Sequence, residues 1–245
     1  MYSKADTHIH TTYSDGLMSP EETIDFVATQ TDLRVIAITD HDTIEGALIA
    51  QHYARRYTGR LEVIVGQEVS TNEGDIVGLF LQTSLPKFRT AAAAIQAIHL
   101  QGGLAIAVHP FAHWFLGGHM RGVEAKIVML PFDGVEARNG FPLNFMSNML
   151  TAWLNRCEGQ RLPTLGGSDS HVSFTIGQPS TRFPGATAVD FRRAVQNNQV
   201  QVEGLCWNIA SLARLGLVLL RDGLPHQRRK QTRAKLSETP LHIES

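Results

Sequence analysis

Eleven histidines in 245 residues are the first chemical signal in this chain, because several sit beside carboxylates or at the ends of apolar runs. His8-Ile9-His10 closes the first such run. Asp40-His41-Asp42 follows VIAIT, Glu68 follows VIVGQ, His109 follows AIAV, and Asp169-Ser170-His171 follows LGGS. Burying imidazole or carboxylate without partners is costly, so these positions call for something that compensates it. On a strand, residues two apart face the same side at about 6–7 Å, close enough to hold one ion or two adjacent ions. His8/His10 and Asp169/His171 have that spacing. Imidazole and carboxylate without thiolate suit Mn²⁺, Zn²⁺ or Fe²⁺, with Mg²⁺ also admissible, and the two cysteines, Cys157 and Cys206, make neither a sulfur site nor a disulfide framework.

Each motif alone has a plainer reading. The HxH could be two histidines at a core edge, Asp42 could cap a helix, His109 before Pro110 could end a strand, and GGSDSH could be a turn. Convergence decides between them. Short apolar runs at 5–10, 34–39, 61–66, 75–81, 104–108, 134–137 and 162–165, with a late one at 199–203, alternate with helix-like stretches. Ser19-Pro20-Glu21-Glu22 is a strong helix start, and 42–57, 90–101, 143–157 and 189–197 read as further helices. Repeated βα units imply a mainly parallel sheet, and in a parallel barrel the C-terminal strand ends meet on one face. Five separate runs would then deliver their ligands to one place.

The rest of the chain narrows the class. A hydrophobic share of 43% and a charged share of 18% are those of an ordinary globular protein, and a net charge of −1 offers no extended surface for nucleic acid. No run is long enough to span a bilayer and no leader is recognisable, which points to a cytoplasmic protein without membrane attachment. Residues 1–221 read as one domain; 222–245, with its HQRRKQTRAK stretch, reads as a frayed helix or disordered tail. His52, His99, His226 and His242 have no role in this reading.

The segments THIHTTYSDG, AITDHDT, GQEVST, AVHP and GGSDSH, in this order, resemble the successive motifs of the PHP (polymerase and histidinol phosphatase) superfamily, from about Asp6 to Gly177. The resemblance implies a distorted seven-stranded (β/α)7 TIM-like barrel carrying two or three divalent metal ions. It implies one ion on His8, His10, Glu68 and Asp169, a second shared by Glu68 and His109, and a third on Asp15, His41 and His171. Asp40 would orient His41. Where the family often has a histidine after the glutamate, this chain has Gly74-Asp75-Ile76-Val77-Gly78, so Asp75 is either a substitute oxygen ligand or the mark of a weakened second site.

The implied activity is hydrolysis of a small phosphorylated metabolite or nucleotide by metal-activated water, with Glu68, Asp169 and His171 as the catalytic group. Arg138, Asn139, Arg182 and His113 are candidates to contact the substrate, the arginines because their planar fork suits phosphate. His119 shares the aromatic FAHWFLGGHM segment with His113. Three rivals stand beside this reading: a nuclease using the same metals, an amidohydrolase, and a non-catalytic metal-binding regulatory domain. No lysine is placed for the carbamylated bridge an amidohydrolase would use.

Overall fold

The computed structural model describes residues 1–112, 121–157 and 161–222, with side chains to residue 217. Among the described residues, nine strands form one sheet in the order β7-β6-β5-β4-β3-β2-β1-β8-β9. They are β1 (Tyr2–Ile9), β2 (Val35–Ile38), β3 (Glu62–Val69), β4 (Ile76–Leu79), β5 (Leu104–Ala107), β6 (Gly134–Asn139), β7 (Thr164–Gly167), β8 (Ser180–Pro184) and β9 (Gln201–Glu203). A bridge between Ile9 and Ser170 brings the end of β7 back to β1, so β1 to β7 form a nearly closed, distorted barrel.

Helices α1 (Pro20–Gln30), α2 (Glu45–Tyr53), α3 (Ala91–Leu100) and α4 (Phe145–Cys157) lie on its outside, α5 (Ala188–Gln196) closes its lower end, and α6 (Ile209–Asp222) follows β9. α1 begins at the predicted cap: Ser19 Oγ accepts from Glu22 N, and Glu22 Oε2 accepts from Ser19 N. The barrel strands are apolar on both faces, and they form two separate clusters. Ala5, Val35, Ala37, Ile64, Val77, Leu79, Leu104 and Ile106 fill the interior, plugged below by Phe183 and by Phe191 of α5. Ile36, Ile38, Val63, Val65, Ile76, Ala105 and Val135 pack outward under the helices.

Three expectations change. β4 runs antiparallel to both neighbours, so the barrel is not wholly parallel. The glycine-containing turn 71–75 is too short for the crossover a parallel β3–β4 pair requires, so the chain doubles back as a hairpin. An additional strand, β8, pairs antiparallel with β1. Asp42 does not cap α2, which starts three residues later behind Ile44; its carboxylate accepts from Ser70 N and Ser70 Oγ instead.

Candidate metal centre

The ligand end of the barrel is built by simple alternation in some strands and by departures from it in others. In β3, Ile64 points inward, and two further steps of two bring Glu68 inward at the strand's upper end. Reversal of β4 puts its start, not its end, at that face, which is how Asp75 arrives beside Glu68 and His109. β1 and β6 need help. Between Asp6 and Ile9, β1 uses three steps where β2 uses two; this bulge shifts the phase so that Ile9 packs outward while His8 and His10 turn inward. A second bulge, between Glu136 and Arg138, lets both Glu136 and Asn139 face the interior. His109 and Asp169 are aimed by backbone: their φ values of 30° and 51° lie in the left-handed region that non-glycine residues rarely occupy.

Glu68 is the hub. Its Oε2 lies 3.2 Å from His8 Nε2, 3.2 Å from His10 Nε2 and 3.4 Å from His41 Nδ1, while Oε1 lies 3.1 Å from His109 Nε2. Asp169 Oδ1 approaches the same His8 and His10 nitrogens at 3.6 and 3.4 Å. Asp15 collects the outer set: Oδ1 is 3.2 Å from His171 Nε2 and 3.4 Å from His10 Nδ1, and Oδ2 is 3.7 Å from His41 Nε2. Four overlapping groups result, each with ligand atoms within 4.8 Å of one another: His8–His10–Glu68, His8–His109–Asp169, His10–Asp15–His171 and Glu68–Asp75–His109.

The arrangement fits divalent ions. Buried His10 Nε2 and His109 Nδ1 have no hydrogen-bond partner among the described residues, although the Glu68 and Asp169 carboxylates lie 3.2 and 3.4 Å from the former. Such orphaned nitrogens in a protein interior are costly unless something else takes their lone pairs. Tautomers are fixed to match. His171 Nδ1 sits 3.0 Å from the Asp169 carbonyl oxygen, which can only accept, so Nε2 is left free. Asp40 accepts from Ser14 Oγ at 2.6 Å, which leaves that hydroxyl to accept from His10 Nδ1 at 3.3 Å. Asp40, also bonded to Thr11 N and Oγ1, therefore orients His10 and the turn carrying Asp15, rather than His41 as expected.

Glu136 was not among the sequence candidates, yet it holds the centre of this support. Buried beneath the ligands, it pairs through Oε1 with His8 Nδ1 at 3.1 Å, while Oε2 accepts from His109 N and Asn139 Nδ2, each at 2.9 Å. Asn139 also donates to Asp169 Oδ2 at 3.1 Å and is itself fixed by Asn144 and Asn148 of the α4 region. The structure thus places Asn139 under the ligands with its side chain engaged, not at a substrate-facing rim. Only its position on β6, beside the ligands' strand ends, could have signalled Glu136 in the sequence.

The other proposed substrate contacts fare differently. Arg138 is half-buried and donates to the Gly204 carbonyl. Arg182 pairs with Lys4 in the β1–β8 register, four residues before His8 and so about 13 Å below the ligands, where it bonds Glu203 and lies over the Tyr2 ring. Its place in β8, which runs opposite to β1, takes it to the wrong end. His113 lies outside the described residues.

Proton affinities reflect the charge balance. Burial opposes charge on His8, His10, His109 and His171, but the adjacent carboxylates outweigh it and raise all four, His10 to about 10. His41 is lowered, by burial and by its imidazole neighbours. Despite burial, Glu68, Asp15 and Asp169 are held well below the carboxylate range by the histidines. Asp75 is pushed up to about 7 by burial and by Glu68. Without a cation the imidazoles carry the neutralising charge; a metal ion would replace those protons.

The chain is also similar to known proteins. A family model of the PHP domain matches residues 6–130, and a PHP-associated model matches 157–200. An uncharacterized protein of Methanocaldococcus jannaschii is 36% identical over 149 residues, 56% of this chain and 82% of that one. A 5'-3' exoribonuclease of Haemophilus influenzae is 38% identical over 102 residues, 40% of this chain but only 36% of the exoribonuclease. Among solved structures, a two-domain protein of Bacteroides vulgatus containing a predicted PHP-like metal-dependent phosphoesterase superposes with a TM-score of 0.65 at 19% identity, over 84% of this chain and 65% of that one. The family match contains His8, His10, Asp15, His41, Glu68, Asp75 and His109. This chain belongs to the PHP domain family.

Proposed function

We propose that the protein hydrolyses phosphate esters of a small phosphorylated metabolite or nucleotide, using two or three divalent ions held by the residues above. The division of Glu68 carries this reading. One carboxylate faces four imidazoles through two oxygens, so Glu68 would serve more than one ion. Ions held there would supply neutralising charge for phosphoryl oxygens and a lowered pKa for bound water. His8, His10, Glu68 and Asp169 would hold the inner ion, Glu68 and His109 with Asp75 the second, and Asp15, His41 and His171 the outer one.

The chain's own groups have separable tasks. Burial of His8, His10, Glu68, His109 and Asp169 shields the inner set from bulk solvent and fixes its geometry. Asp15, His41 and His171 are the solvent-facing members, with side-chain exposures of 49%, 28% and 27%, so the phosphoryl group enters from their side. Asp169, whose Oδ1 lies between the inner histidines, accepts the proton of the attacking water, and Asn139 holds its other oxygen in place.

A second reading, end-directed cleavage of RNA, is favoured by the similarity to the Haemophilus influenzae exoribonuclease. Both are tested together. The protein, loaded in turn with Mn²⁺, Zn²⁺, Fe²⁺ and Mg²⁺, is given nucleoside monophosphates, nucleoside bisphosphates and a 5'-phosphorylated oligoribonucleotide. Phosphate release from the small esters supports the first reading; stepwise shortening of the oligonucleotide supports the second. No turnover with any metal, or turnover unchanged in His10→Ala, would refute both.

A further inference from the structure

α4 is amphipathic in the reverse sense to α2 and α3, which bury alanines and isoleucines. Toward the protein it buries Ser147, Asn148, Thr151 and Asn155; toward solvent it exposes Phe145, Met146, Met149, Leu150 and Trp153. These follow the three- and four-residue spacing of one helical face, and Leu143 extends the stripe. The inward polar residues are accounted for: Ser147 Oγ accepts from Phe111 N, and Asn148 bonds the main chain of Asn139 in both directions. Nothing among the described residues accounts for the outward ones.

We propose that this face is the interface of a homodimer, the two copies of α4 packing across a two-fold axis. Size is the first argument. The six α4-region side chains expose roughly 700 Å² per protomer, close to the ~800 Å² per partner of a stable interface and beyond an ordinary monomer's patch. Composition is the second. α4 carries a single charge, Arg156, so its face has no pattern to attract an acidic or basic partner. It also lacks the lysines and arginines that a helix lying on an anionic membrane needs beside its apolar stripe. An uncharged stripe of Phe, Met, Leu and Trp is complementary to itself, as an isologous contact requires. The chain's own end is a poor cover: residues 223–245 contain four large aliphatic side chains, Leu224, Leu236, Leu241 and Ile243, among many charges.

The inner side of this helix holds Asn139, which bonds both Glu136 and Asp169. The dimer would therefore clamp the helix that supports the metal ligands, although the proposal does not depend on the reaction catalysed.

The test is sedimentation equilibrium of the full chain at about 50 µM, compared with Met149→Lys/Trp153→Lys. The expected result is twice the chain mass for the wild type and the single-chain mass for the variant, with at least ~100-fold weaker association and an unchanged far-UV circular dichroism spectrum. A monomeric wild type would overturn the proposal and assign the face to another partner, a membrane or a segment of the same chain. A dimer that survives in the folded variant would overturn it equally. Hydrogen exchange of wild-type α4 is independent of any variant: its protection must fall on dilution, and concentration-independent protection counts against the dimer.

Discussion

Replacing Glu136 by Gln tests whether the support beneath the ligands sets metal affinity. The change conserves shape and removes one negative charge. Oε2 accepts two hydrogen bonds, from His109 N and Asn139 Nδ2, so the glutamine oxygen must take that position. Its amide nitrogen then faces His8 Nδ1, 3.1 Å away in the wild type. Two donors cannot face each other, so His8 must give up the Nδ1 proton and carry one on Nε2. That is the atom 3.2 Å from Glu68 and 3.6 Å from Asp169, where a ligand lone pair is needed. Outer hydrogen bonds of this kind are worth about 10–100-fold in metal affinity, or about 1.4–2.7 kcal/mol. Loss of the lone pair places E136Q at the upper end. Competition with a chromogenic chelator measures the affinity directly, and thermal melting with excess chelator checks that the metal-free variant is folded. Affinity within threefold of wild type in a folded variant would show that Glu136 does not set the His8 tautomer.

Three further outcomes follow from the same geometry. A β-carbon on Gly167 would collide with Glu136 Oε1 and lie 2.8 Å from the His8 β-carbon, so Gly167→Ala should weaken metal binding while lowering stability by about 1–3 kcal/mol; chelator competition alongside a denaturant melt separates the two, and unchanged affinity would contradict it. Metal uptake should release protons and weaken as pH falls, because His8, His10, His109 and His171 bind protons more tightly in the metal-free fold than when unfolded. The sign for the metal-free protein is opposite: that stabilisation is complete below the unfolded histidine value, about 6.5, and is lost as pH rises through the folded values, about 10 for His10. Calorimetry in two buffers of different ionisation enthalpy, with melts across pH 6–10, checks both, and uptake without proton release would sink the argument. Arg182→Ala should leave metal affinity and turnover unchanged, since Arg182 lies at the far end of the barrel; a tenfold loss in kcat/KM would overturn that placement.

Melting with and without metal addresses the centre as a whole. An ion that binds the folded chain alone stabilises it by about 2.7 kcal/mol at a hundredfold excess over its Kd, so chelation should lower Tm and re-addition restore it. A Tm indifferent to both would mean that the cluster holds no metal.

Much of this centre is already legible in the amino-acid order. Alternation and the apolar runs bring Glu68 to a strand end, and the close spacing of His8 with His10 and of Asp169 with His171 is a local property of the chain. The capping box at Ser19 is equally local, because its partners are three residues apart. What the order of residues could not express is phase and direction. A bulge costs one residue and leaves no sequence signature, yet the one in β1 turns His8 and His10 inward, and the one in β6 brings Asn139 to the same side as Glu136. Strand direction likewise depends on pairing: it brings Asp75, at the beginning of antiparallel β4, to the centre and carries Arg182 away from it. Glu136 looked like an ordinary strand residue because its partners lie 128 residues back in sequence at His8 and 27 at His109. Local chemistry chose the candidate ligand types; only the nearly closed sheet decided which buried groups hold them, since those contacts exist only when distant strands share an interior.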